Sequence, residues 1–145
     1  SELAELALPH AQALAKQGDV ELVELVLLRI CEPPTVPSYY TPELSEMPLN
    51  WGEYAQRETA RCRQAASEYL AKKEKPFKDS HINVRSEVLV GKAADEIVNY
   101  VNKNPFSIIV MVTHGRSGLS RLVYGSVAES VLLGASNPIV LVKPQ

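Results

Sequence analysis

Short apolar runs alternate with amphipathic stretches along this chain, and that alternation restricts the fold more than any other property of the sequence. Residues 20–30, 82–90, 108–112 and 139–142 have the length and composition of strands, whereas 1–17, 51–75, 93–101 and 126–134 repeat apolar residues at helical spacing. Strands separated by helices return to the same end of a sheet and so run parallel. The spacing therefore predicts a three-layer α/β/α sandwich with a mainly parallel sheet. Ligands of such sheets bind beyond the carboxyl ends of the strands, where the winding reverses.

The first helix carries Leu3, Leu6, Ala7, His10, Ala13 and Leu14 on one face, places Glu2 and Glu5 in its first turn, and stops at Gly18. Residues 20–30 read as a strand buried on both faces, although Glu24 and Arg29 interrupt it. Pro33, Pro34, Pro37, Pro42 and Pro48 make the next stretch an irregular loop. The long helix that follows, with Tyr54, Ala65, Ala66, Tyr69 and Leu70, is predicted to close at Pro76. Alternation of Ile82, Val84, Ser86, Val88 and Val90 with polar neighbours suits a strand nearer the sheet edge, whereas 108–112 suits a buried one. Ser126, three residues before Glu129, has the layout of a capping box.

The length of 145 residues suits one domain spanning 1–145, and 46% hydrophobic against 22% charged residues suits a packed core. The 15 basic and 17 acidic residues give a net charge of −2 and form no basic run, which argues against a nucleic-acid surface. No stretch is apolar enough to span a bilayer, and the amino terminus lacks the pattern of a signal peptide. Cys31 and Cys62 are too far apart for a CxxC site, so a reducing compartment is expected, with Cys31 a small buried hydrophobe. The expected location is cytoplasmic.

Chemistry concentrates in residues 113–130, where Gly115, Gly118 and Gly125 join a strand to a helix. Glycines let backbone amides approach an anion, and a helix start adds unpaired donors and the positive end of a dipole. By spacing alone this is neither GxxxxGK[ST] nor GxGxxG. Ser126 as a plain N-cap, His114 as a locally bonded loop histidine, and Arg116 and Arg121 as solvated charges are the competing readings. No paired carboxylates, nucleophile elbow or metal-ligand spacing marks a catalytic or metal site.

The run IIVMVTHGRSGLSRLVYGSVAESVLLGASNPIVLVKP resembles the carboxyl-terminal half of universal stress proteins, and a weaker likeness extends over about residues 1–144. The resemblance implies a Rossmann-like fold of the adenine nucleotide alpha hydrolase type and an ATP-binding regulatory protein of the stress response. Its alternatives are a nucleotide-free dimeric adaptor and a slow ATP hydrolase. The ATP-binding pattern of the family is glycine, two residues, glycine, nine residues, glycine, then serine or threonine. Gly115, Gly125 and Ser126 match it, and Val112 stands in place of the first glycine. The resemblance further implies that Gly115, Gly125, Ser126 and Val127 meet phosphates and ribose, that Ile30 and Met111 flank adenine, and that Arg116 adds charge. ATP, with or without Mg2+, is the implied cofactor, and the implied assembly is a homodimer through the last strand. Family members begin with a central strand ending near an aspartate, whereas the sequence begins at Ser1 on the following helix. On that expectation either the sequence is a piece of a longer chain or the sheet is completed otherwise.

Overall fold

A computed structural model gives the structure of the protein and describes residues 2–17, 24–35, 50–105, 107–113 and 125–143. Helices α1 (Glu2–Glu5) and α2 (Ala7–Lys16) precede β1 (Leu25–Cys31), α3 (Trp51–Asp79), β2 (Val84–Val90), α4 (Ala93–Asn102), β3 (Ile109–Val112), α5 (Ser126–Gly134) and β4 (Ile139–Val142). The expected order of helices and strands is present. Described strands form two parallel pairs, β1 with β2 in register Leu25↔Val84 to Cys31↔Val90, and β3 with β4 in register Ile109↔Ile139 to Val112↔Val142.

The expected first helix is split. Pro9 has no N–H for the carbonyl of Glu5, and its ring crowds that carbonyl, so the backbone closes a turn from the Leu6 N–H to the Leu3 oxygen at 3.1 Å before α2 begins. At α3 the opposite occurs, because the helix runs one turn beyond Pro76 instead of ending there. Phe77, 3% exposed, anchors that turn in a core with Leu27, Leu70 and Val84, and its burial contributes about 2–3 kcal/mol. The turn closes as a Schellman motif: the Ile82 N–H bonds the Phe77 oxygen at 3.0 Å and the His81 N–H bonds the Lys78 oxygen at 3.0 Å. His81 takes the left-handed conformation (φ 59°) usually filled by glycine.

At its start α3 is capped by Asn50, whose side chain accepts from the Glu53 N–H at 3.1 Å. Its buried stripe, Ala66, Leu70 and Phe77, faces β1 and β2, and Leu8 of α2 joins the same core. α2 also packs on β3, while α4 packs on α5 and β1. Strands β1 and β3 are mostly half-buried, not fully buried as their apolar runs suggest. A strand in a two-stranded pair gains side-chain neighbours on one flank only, which accounts for the exposure.

Cys31 is buried at 1% exposure as expected, but it is not a free thiol. It forms a disulfide with Cys62 of α3, with 6.0 Å between the Cα atoms. Separation in sequence gave no sign of this pairing, because it is the fold that sets Cys62 of α3 beside the carboxyl end of β1. The inference from unpaired cysteines to a reducing compartment is thereby removed.

Candidate functional site

Gly125 turns the chain into α5 at φ 85° and ψ 144°, a conformation that side chains other than hydrogen disfavour. The capping box expected at Ser126 is absent. Gly125 is the N-cap, Ser126 is already the first helical residue, and among the described residues no side-chain hydrogen bond caps the helix. The Glu129 N–H makes the first intrahelical bond, to the Gly125 oxygen at 2.9 Å. The preceding amides, of Ser126, Val127 and Ala128, therefore have no intrahelical acceptor, and Ser126 and Val127 are exposed. This arrangement can receive an anion: a close backbone approach, amides without an intrahelical acceptor, an adjacent hydroxyl and the positive end of the helix dipole.

Met111 and Val112 lie half-buried in β3, opposite Leu141 and Val142. Val112 keeps ordinary negative-φ strand geometry, so a glycine is not needed there for backbone reasons. Only the volume of the valine side chain distinguishes this position from the family pattern. Ile30 sits in β1 opposite Leu89, in the other strand pair, directly before the disulfide-bonded Cys31. Gly115 and Arg116, together with His114, Gly118 and Arg121, lie outside the described residues. The structure thus brings together Met111 with Val112, and Gly125 with Ser126 and Val127, while Ile30 stands on a separate pair.

Thr113 was not singled out in the sequence. It is 6% exposed, and both its N–H and its hydroxyl point to the Val142 oxygen, at 3.0 and 3.4 Å, pinning the start of the glycine-containing loop to the end of β4. A hydroxyl closing an apolar strand just before that loop was the available signal. Asn137 does similar work before β4, donating to the carbonyls of Asn104 and Ser107 at 3.0 and 3.1 Å. Beside the carboxyl end of β4, a cleft of about 290 Å³ is lined by Leu6, Pro9, His10, Val142 and Lys143. This is the end of a parallel pair at which ligands of such folds bind. A second groove, about 370 Å³, runs between Pro33 and residues Ala55 to Arg63 of α3, away from α5.

Two polar clusters lie elsewhere and are structural. Glu5 accepts from Tyr69 at 2.6 Å and from Lys73 at 2.7 Å, joining α1 to α3. The Lys73 hydrogen bond, followed by that from Tyr69, holds the Glu5 carboxyl below its usual range. Burial, followed by the Glu5 hydrogen bond, pushes the Tyr69 phenol up to about 12. Arg85 of β2 bonds Glu24, Glu87 and Tyr100 and ties the start of β1 to β2 and α4. Among the described residues no group of three His, Cys, Asp or Glu side chains could hold a metal ion.

The sequence pattern of the universal stress protein family matches residues 1–143. The chain belongs to that family. Universal stress protein MJ0531 of Methanocaldococcus jannaschii is 30% identical over 138 residues, which cover 94% of this chain and 73% of that protein. Universal stress protein MJ0577 of the same organism is 26% identical over 99% of this chain and 89% of its own length. The solved structure of MJ0577 superposes with a TM-score of 0.75 at 26% identity, covering 100% of this chain and 90% of that one. Universal stress protein UspA from Lactobacillus plantarum, 20% identical, superposes with a TM-score of 0.64 over 95% of this chain and 88% of its own, a likeness of fold. The Rossmann-like α/β architecture of this stress protein, with its parallel strands, agrees with these neighbours.

Proposed function

We propose that this universal stress protein is a regulatory module that binds ATP at the start of α5 and changes its protein contacts with nucleotide occupancy. The observation that carries this reading is the start of α5 at Gly125, where amides without an intrahelical acceptor and the hydroxyl of exposed Ser126 offer donors to a phosphate group. In the proposed complex Gly115, Gly125, Ser126 and Val127 meet phosphates and ribose, Arg116 supplies charge, and Met111, Val112 and Ile30 lie on the adenine and ribose side. Mg2+, when present, is held by the phosphates, since the described residues offer it no carboxylate cluster. Those side chains bind and orient; no residue is assigned to catalysis.

The proposed assembly is a homodimer through β4, and the proposed location is cytoplasmic. No helix of the described residues is long and apolar enough to cross a membrane. A disulfide in a cytoplasmic protein is usually a reversible one.

The test begins with purified protein denatured and its supernatant analysed for adenine nucleotide, followed by calorimetric titration of ATP with and without Mg2+. Retained nucleotide or saturable binding is expected. Absence of both, with the fold intact, overturns the proposal. Phosphate release over time separates binding from slow hydrolysis.

A further inference from the structure

We propose that Cys31 and Cys62 form a redox-modification site: a disulfide that a dithiol reductant opens, releasing the head of α3 from β1 while the β1–β2 ladder stays intact. The site is independent of the nucleotide reading. Cys62 stands four residues before Ala66 and eight before Leu70, so it lies on the stripe by which α3 packs on the strands. Towards the start of the helix burial thins: residues 51–61 are exposed or half-buried, with Trp51, Tyr54, Ala55, Glu58 and Thr59 continuing the stripe as half-buried side chains, and the fully buried residues of α3 all lie after Cys62. The disulfide therefore fastens the helix at the boundary between its fully buried and half-buried parts.

Cys31 is secured separately. It pairs with Val90 in the ladder, and its carbonyl accepts from the Gly91 N–H at 3.1 Å, so loss of the disulfide leaves the strand end held. The two residues also differ in burial, since Cys31 is 1% exposed and Cys62 is half-buried. A dithiol thiolate attacks the sulfur of Cys62, the less buried residue of the two, the S–S bond breaks, and Cys31 leaves as a thiolate that takes up a proton. The second thiol of the reductant then attacks the sulfur it contributed to the mixed disulfide and releases Cys62. The protein gains two electrons and two protons, and the dithiol becomes a cyclic disulfide. Protonated Cys31 remains as a small apolar side chain in the site it already fills.

Amide hydrogen exchange on the full chain, oxidised and then reduced with dithiothreitol, tests the proposal, with cysteine alkylation scored by mass. In the oxidised protein neither cysteine should alkylate. Reduction should expose Cys62 to alkylation and speed exchange in residues 51–61 by about tenfold or more, leaving residues 84–90 within about twofold. Cys62→Ser should exchange like the reduced protein without reductant. Equal exchange in both redox states overturns the proposal, as does free alkylation of the oxidised protein. Acceleration of residues 84–90 to the same extent makes the bond a staple of the whole fold and overturns the local release.

Discussion

Gly125 holds φ 85° and ψ 144°, so Gly125→Val strains the backbone by about 1–3 kcal/mol whether or not a ligand is present. We expect that variant to lose about tenfold or more in ATP affinity while Gly118→Ala changes little, as read by titration calorimetry with melting temperatures as the control for folding. Equal affinities would place the site elsewhere. Val112→Gly tests volume alone, because the backbone there is ordinary strand. Tighter ATP binding by that variant is expected, and unchanged binding would acquit the side chain. Glu5 supplies a pH prediction. Its carboxyl is held below 4.5 by Lys73 and Tyr69, so its contribution to stability is complete above that value and is lost as pH falls below it. Tyr69, pushed from 10.0 to about 12, contributes fully below pH 10 and loses its contribution as pH rises through 12. Urea unfolding of the parent and Glu5→Gln should differ by a constant amount from about pH 6 to 8 and converge in acid. At this scale the sequence was readable where a residue acts through its own backbone preference, as Gly125 does. It misled where the role depends on a one-residue shift: Ser126 is the first helical residue instead of the cap, which rules out the reciprocal bonds of a box with Glu129.

The bounds of α5 and β4 match the sequence reading because both are bracketed by glycine, serine or proline, residues that punctuate locally. The carboxyl-terminal end of α3 was harder to read. Pro76 is a stop signal on local grounds, yet burial of Phe77 and Ile82 in the tertiary core carries the helix past it. His81 closes that turn in the left-handed region, so His81→Gly should stabilise the protein by roughly 0.5–1 kcal/mol, the relief of strain exceeding the added chain entropy. Thermal unfolding at neutral pH would check it, and a lower melting temperature would count against this account of the turn. The disulfide was illegible for another reason: proximity of Cys31 and Cys62 is created by the fold across 31 positions of sequence.

The whole molecule follows the alternation of strand and helix that the sequence displays, and the family likeness supplied what alternation cannot, the nucleotide reading of residues 112–127. What neither supplied is the division of the described strands into two pairs, since pairing is decided by which edges meet in space and not by the runs themselves. The proposed dimer belongs at this scale. Val140 lies in the middle of β4, and Val140→Lys should shift a dimer toward monomer in light scattering at fixed concentration if that strand forms the contact. An unchanged mass would move the interface to another surface.

Helices α1 and α2 have a place in the structure that their modest size conceals. α2 touches β3 and sends Leu8 into the core of β1 and β2, while Glu5 and Gln12 bond Tyr69, Lys73 and Ser80 on or beside α3. Residues 2–17 thus couple two halves that share no ladder hydrogen bonds among the described strands. Cooperativity of melting should depend on that coupling: weakening it with Leu8→Ala should broaden the calorimetric transition and raise the ratio of calorimetric to van't Hoff enthalpy above unity, as two blocks begin to melt apart.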